Sequence, residues 1–367
     1  MATKRIGISR DLIIHPGETI ADVLKERDIT QMELAIRTNV SPAYISSVIA
    51  GKKDISSKFA MALEYALGVP KSFWLNLQAN YEAEVLELNE VNTVTDAEKS
   101  ILPKLHEIVD WLRKQNLIPN KQTKEDIILS LRKMFRMSDI SKLDTIVAEG
   151  AFRVSTKAVV DSVVMGAWLR LCQVLGEQDV KAVPMFDVQN VGALISDLKN
   201  VMLNSRADLQ KDLTDVMSRY GIKFNVVPNF RGAPVHGYIS QNKDGEYQMA
   251  LTIRGAFADI FWFSLFHEIG HIVNGDISKT TGFIDAQNNT DKAKETAADI
   301  FASNALLDSD SYLDFTAKKD FGIESIKQYA ISQKVEPYIV IGRLQREKQI
   351  PYSWYSDYKV RYKWAEK

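Results

Sequence analysis

Apolar positions over the first 80 residues recur at helical spacing in short runs. Polar breaks separate them at Asp28-Ile29-Thr30, Thr38-Asn39-Val40-Ser41-Pro42 and Gly51-Lys52-Lys53-Asp54. This punctuation predicts a compact all-helical unit. From Glu82 to Val94 the chain turns acidic and lacks Gly and Pro, as a connecting helix would, which puts a boundary near residue 90. Helical spacing resumes over 97–178, with Ile101, Leu105, Ile108 and Leu112 three or four apart and an apolar-rich run from Val159 to Leu175. At Gly221 the texture changes to IKFNVVPNF, VHGYIS and YQMALTI, the last two separated by the turn signal Asn242-Lys243-Asp244-Gly245. A small antiparallel sheet is expected there. Two more helices follow, Phe257 to Val273 and Asp291 to Leu307. The expected class is mainly α with a small β-sheet (α+β), in three segments: 1–90, 91–178 as a helical connector, and 179–367.

Composition narrows the function classes. The 367 residues carry 46 Lys+Arg against 47 Asp+Glu, a net charge of −1 that excludes wholesale polyanion coating. With 46% hydrophobic and 25% charged residues, this is an ordinary globular chain. Cys172 is the single cysteine, so no intramolecular disulfide forms and a reducing compartment is expected. Without an apolar run of membrane-spanning length or a signal-type apolar core at the N-terminus, the expectation is a cytoplasmic protein with no membrane partner.

Within the expected apolar helix stands His267-Glu268-Ile269-Gly270-His271, an HExxH pattern. Histidines four apart project from one helix face and can reach one Zn²⁺ at ~2.0–2.1 Å. The residues before them, Ile260 to Phe266, are apolar on almost every side, so a buried pair of imidazoles and a glutamate need compensation there. A bound cation supplies it; a pair of hydrogen-bonded core histidines is the plainer alternative. A catalytic zinc takes three protein ligands and leaves a position for water. Glu295, 24 residues after His271, is the best third candidate. Asp299, one turn on, can accept the other ring N–H of a zinc-bound histidine. The alternative makes both the solvated side of an amphipathic helix. Asp276, Asp285 and Asp291 are weaker candidates. Glu268 is expected to be the general base, with peptide hydrolysis as the reaction. His236, Tyr238 and Arg254 border the expected cleft, mostly as ordinary sheet side chains, while His15, His106 and Cys172 look structural.

In the first unit, Thr30 caps a helix through Leu34-Ala35, and Ser41-Pro42 opens a second over Ala43-Tyr44-Ile45-Ser46-Ser47-Val48-Ile49. Leu34, Ala35, Val40, Ile45, Val48 and Ile49 form the expected apolar seam, leaving Ser41, Pro42, Ala43, Tyr44, Ser46 and Ser47 outward. A small polar face of this kind suits a helix that enters the major groove of double-stranded DNA. Gln31, Lys52 and Lys53 are placed for phosphate contacts. Residues 1–80 hold ten basic and eight acidic groups, a modest +2, so a homodimer on a palindromic operator is expected. A bundle used for protein contacts is the competing use. The stretch from Arg343, seven basic and three acidic residues among aromatics, is expected to pack on the core.

These residues resemble two known families. His15-Pro16-Gly17-Glu18, Thr30-Gln31, Leu34-Ala35, Ser41-Pro42, Ile45-Ser46, Gly51-Lys52-Lys53 and the run Phe73 to Gln78 are similar to the HigA antitoxin branch of XRE-type helix-turn-helix proteins, over about residues 8–82. The run Trp262 to His271, with Glu295 and Ala298-Asp299-Ile300-Phe301-Ala302, resembles the ImmA/IrrE zinc metallopeptidases, over roughly 180–310. The resemblance implies a gluzincin-like site with His267, His271 and Glu295 on one Zn²⁺ per chain and Glu268 as base. It further implies a regulator of stress, phage, mobile-element or toxin–antitoxin genes that acts on a repressor or toxin partner. Ala297 and Asp299 depart from the acidic residue and the asparagine that many relatives carry. Three functions compete: a DNA-bound regulator that cleaves a partner, a HigA-type antitoxin or repressor whose zinc domain is a sensor or scaffold, and a peptidase whose helical N-terminus docks substrate. The first leads, because both motifs are complete.

Overall fold

The computed structural model describes residues 13–148, 160–178, 183–205, 208–242, 244–253, 257–277, 283–284 and 292–364. Contacts divide the chain after Thr95 into two units. The first holds α1 (Pro16–Glu26), α2 (Gln31–Thr38), α3 (Pro42–Ile49), α4 (Ser57–Leu67) and α5 (Lys71–Asn89). Local chemistry sets their ends. His15 Nδ1 accepts from Gly17 N at 2.9 Å, and Thr30, Ser41 and Ser56 hydroxyls cap α2, α3 and α4. Asn39 and Gly68, both left-handed, end α2 and α4. Ile20, Leu34, Ile45, Val48, Leu63 and Trp74 fill the core. Gly17 is required for its closeness: a Cβ there would lie 2.0 Å from Val48 O, so α1 rests directly on the backbone of α3.

The second unit begins with α6 (Asp96–Ile101), α7 (His106–Lys114), α8 (Lys124–Phe135), α9 (Leu143–Ala148), α10 (Ser162–Gln178), α11 (Val191–Asn204) and α12 (Leu209–Arg219). Strands β1 (Ile222–Val226), β2 (Gly237–Gln241) and β3 (Tyr247–Leu251) follow, then α13 (Ala258–Val273), the two-residue β4 (Phe283–Ile284), α14 (Lys292–Leu306), α15 (Ser309–Ala317), α16 (Ile323–Ser332) and α17 (Pro337–Arg346). The class is α+β, mostly helical, with the sheet order β1-β3-β2-β4. The sheet is mixed, which corrects the antiparallel expectation. The β2–β3 hairpin is antiparallel, with Ile239 opposite Met249, but β3 inserts between β2 and β1 and runs parallel to β1, Phe224 opposite Met249. Turn chemistry fixes the hairpin alone; the partner on its far side is set by tertiary packing.

Alternation along the strands gives the sheet two covered faces. Phe224, Ile239, Met249 and Leu251 share a core with Trp262, Leu265, Phe266 and Ile269 of α13. On the other face Gln248 Nε2 donates to the Cys172 and Gln173 carbonyls of α10, both at 2.9 Å. Of the connector expected over 91–178, the part from Asp96 onward therefore shares a unit with the sheet. Trp168 Nε1 donates to Pro228 O at 3.2 Å, and the buried Glu98 carboxylate is gripped by Arg132 at 2.8 and 2.6 Å. In the aromatic C-terminal stretch Tyr355, Tyr362 and Trp364 pack on the core, with Trp262 Nε1 donating to Tyr362 Oη at 2.9 Å, while Tyr352, Trp354 and Tyr358 stay exposed. Among the described residues no helix is long and apolar enough to cross a membrane.

Candidate metal centre and helix-turn-helix face

His267 and His271 lie one turn apart on α13 and are both buried, with Nε2 atoms 3.1 Å apart and rings nearly perpendicular at 83°. Glu295 in the first turn of α14 completes the cluster. Its Oε2 is 3.3 Å from His267 Nε2 and its Oε1 3.5 Å from His271 Nε2. The helices approach closely because Gly270 faces α14: a Cβ there would be 3.1 Å from Ala298 Cα. Ligand atoms from all three residues lie within 4.8 Å of one another.

Each imidazole is oriented from behind. His267 Nδ1 lies 2.9 Å from Asp299 Oδ1, and His271 Nδ1 lies 2.9 Å from Asp276 Oδ2. A carboxylate only accepts, so both rings carry their proton on Nδ1 and turn the Nε2 lone pairs toward each other and toward Glu295. Lone pairs at 3.1 Å facing a third anionic donor fit a cation between them. Two nitrogens at ~2.0–2.1 Å from a tetrahedral zinc stand about 3.3 Å apart, and an N₂O donor set suits that ion. Burial alone would raise the Asp299 carboxyl, but the hydrogen bond from His267 and the nearby Arg346 guanidinium hold it below the usual carboxylate range.

Sequence reasoning did not assign Asp276 this place behind His271. The signal was the Asn274-Gly275-Asp276 turn: Gly275 is left-handed (φ 72°) and Asp276 N donates to His271 O at 3.0 Å, which folds the carboxylate back under the ring. Gly237 was also missed. Glu268 is buried, and a Cβ on Gly237 would come within 2.5 Å of its Oε1, so the carboxylate lies against the bare backbone at the start of β2. His236 precedes that glycine, and its carbonyl accepts from Thr252 N at 2.9 Å. Tyr238 is buried, and that burial pushes its phenol up. Arg254, Asp285 and Asp291 lie outside the described residues. Cys172 is buried and its thiol raised, His15 caps α1, and His106 Nδ1 stands 3.0 Å from Pro103 O.

In the first unit the beginnings of α2 and α3 are exposed: Gln31, Ser41, Pro42 and Ala43 are all open, as are Lys52 and Lys53 beyond α3. The seam is as expected for Leu34, Ala35, Ile45 and Val48, all buried. Tyr44 departs from the expected outward set. It is half-buried, edge-on to Phe59 at 5.1 Å with Lys53 Nζ 5.2 Å from its ring centre, because the first turn of α3 leans on α4. Ser47 is also half-buried and donates to Ala43 O at 2.7 Å, while Ser41 Oγ accepts from Tyr44 N at 3.2 Å.

Residues 227–325 match the Peptidase U49 family, and residues 20–74 match the helix-turn-helix family. Virulence-associated protein I of Dichelobacter nodosus is 31% identical over 75 residues, 20% of this chain and 69% of that protein. The uncharacterized HTH-type transcriptional regulator YddM of Escherichia coli K12 is 30% identical over 63 residues, 17% of this chain and 67% of that one. Two solved structures also align with 23% of the chain. The HigA-family addiction-module antidote protein from Coxiella burnetii is 28% identical with a TM-score of 0.21, covered over 96% of its length. The Pseudomonas aeruginosa antitoxin HigA with higBA promoter is 29% identical with a TM-score of 0.21, covered over 97%.

Proposed function

From a chain that belongs to the XRE-type helix-turn-helix family and joins to that module a peptidase U49 domain, we propose a DNA-bound transcriptional regulator whose second unit is a zinc-dependent endopeptidase acting on a partner protein. The observation that carries the enzymatic half is the pair of Nε2 atoms at 3.1 Å, each ring tied through Nδ1 to an aspartate, with Glu295 alongside and the Glu268 carboxylate against Gly237. His267, His271 and Glu295 would hold the ion, which would supply a Lewis acid and acidify a water at the remaining position. Glu268 takes that proton on its carboxylate and returns it to the departing amine. A purely structural zinc site needs no such base, so the buried Glu268 favours hydrolysis over a scaffold. The missing Cβ at Gly237 is what lets the Glu268 carboxylate occupy this position.

The first unit reads DNA through the start of α3. Ala43 and Pro42 face the groove, the Ser41 cap fixes the helix entry, and Gln31, Lys52 and Lys53 meet phosphates. Tyr44 and Ser47 support that face from half-buried positions. A homodimer on a palindromic operator matches two copies of this helix to two half-sites. The setting is cytoplasmic gene control in stress, phage, mobile-element or toxin–antitoxin systems, with a repressor or toxin as the protein partner.

One experiment tests both halves. Cells expressing the wild type, Glu268→Gln or Ala43→Asp are compared by N-terminal peptide profiling, with zinc content and binding to the gene's own upstream DNA measured on the purified proteins. Glu268→Gln should lose protein N-termini that the wild type generates, at unchanged zinc and DNA binding; Ala43→Asp should lose DNA affinity at unchanged zinc. Cleavage that survives Glu268→Gln refutes the mechanism, and DNA binding indifferent to Ala43→Asp removes α3 from the groove.

A further inference from the structure

Behind Asp299 stands a residue that the sequence offers only as one basic group among several near the C-terminus. Arg346, at the end of α17, donates through Nη2 to Asp299 Oδ2 at 3.2 Å, while Oδ1 of the same carboxylate faces His267 Nδ1 at 2.9 Å. Its guanidinium also lies 4.4 Å above the Phe263 ring, and that ring stands 6.3 Å from the His267 ring at a 34° tilt. Resting on the metal reading above, we infer that Arg346 is a positioning residue for the metal centre, acting on His267 along both routes.

The two histidines differ in what holds their aspartates. The Asp276 side chain is 7% exposed and fixed by the turn that follows α13, with Lys294 Nζ only 3.8 Å away. The Asp299 side chain is 42% exposed on α14 and has solvent to swing into. Arg346 closes that freedom: with one oxygen on the guanidinium, the other is left aimed at the imidazole, and the Nδ1–H tautomer is kept. The Arg346 side chain is itself 57% exposed, and an ion pair so open contributes little to stability. What it contributes is the direction of the His267 lone pair, an orientation role that a stability measurement alone would miss.

The test is zinc affinity of the full chain by chelator competition, for wild type, Arg346→Met, Arg346→Lys, Asp299→Asn and the double variant Asp299→Asn/Arg346→Met. Arg346→Met should bind zinc about tenfold more weakly, the scale typical of partners behind a ligand. Arg346→Lys should recover part of the loss, because an ammonium can meet Asp299 but lies poorly on Phe263. In the Asp299→Asn background, removing Arg346 should cost markedly less. Affinity of Arg346→Met within twofold of wild type, or a loss undiminished in the Asp299→Asn background, overturns the inference. A wild type that takes up no zinc overturns the metal reading itself, a result separable from either.

Discussion

Gly270 sits in the middle of the HExxH run, and replacing it with alanine pits helix stability against the metal centre. An added Cβ would stand 3.1 Å from Ala298 Cα and 3.2 Å from both Ala298 O and Phe301 Cδ1, where ordinary contact begins at 3.4 Å. Two of these atoms are backbone, so α14 must retreat by about 0.3 Å. Glu295 lies one turn before Ala298 and moves with it, from 3.3 and 3.5 Å off the two Nε2 atoms. Ligand distances tolerate only about ±0.2 Å. We expect zinc to bind about tenfold more weakly, roughly 1.4 kcal/mol. Alanine in a helix interior is at the same time worth about 0.5–1 kcal/mol over glycine. Parting the two helices costs about 1–3 kcal/mol, which this gain offsets only in part, so the metal-free variant should unfold slightly earlier than the metal-free wild type while its zinc affinity falls. Chelator competition and thermal unfolding of chelated protein measure the two. Zinc affinity within twofold of wild type would refute the argument that the α13–α14 approach places Glu295.

Two other outcomes follow from burial. Gly17→Ala puts a Cβ 2.0 Å from Val48 O and must part α1 from α3; a loss of about 1–3 kcal/mol is expected in the unfolding of the first unit, and an unchanged midpoint would contradict the packing. Lys199 Nζ donates to Leu306 O at 2.9 Å and Gln333 O at 3.1 Å, and burial, with Lys334 nearby, lowers its pKa to about 8 from 10.5. Between those values the unfolded chain holds the proton that the folded chain has released, so stability from this group rises with pH. The stability of wild type relative to Lys199→Met should increase from pH 7.5 to pH 9.5 in denaturant titrations, and a constant difference would deny the shift.

How much of this was legible in the sequence depends on how local each cause is. Thr30 and Ser41 announce α2 and α3 because a cap acts within three residues, and His267 and His271 announce a shared face because helical spacing is fixed. The Asn242 to Gly245 turn announces the hairpin for the same reason. The parallel pairing of β1 with β3 depends on packing across the sheet, and no turn encodes it. Tyr44 reads as outward on a wheel for α3, yet Phe59, fifteen residues on, draws it in. Gly237 and Gly270 carry no side chain to suggest a role; only the neighbours that a Cβ would meet, Glu268 and Ala298, reveal it. Arg346 reaches Asp299 across 47 residues, beyond any local pattern.

The two aspartates behind the histidines also set the charge of the site. Around two imidazoles, neutral in the tautomer that Asp276 and Asp299 impose, stand four carboxylates, those of Glu268, Asp276, Glu295 and Asp299, and two cations, Lys294 and Arg346. With all six ionised the cluster is short by two positive charges. A divalent ion would bring that sum to zero, whereas a monovalent ion would leave one negative charge over. A ring of carboxylates so weighted would suit a divalent ion better than a monovalent one.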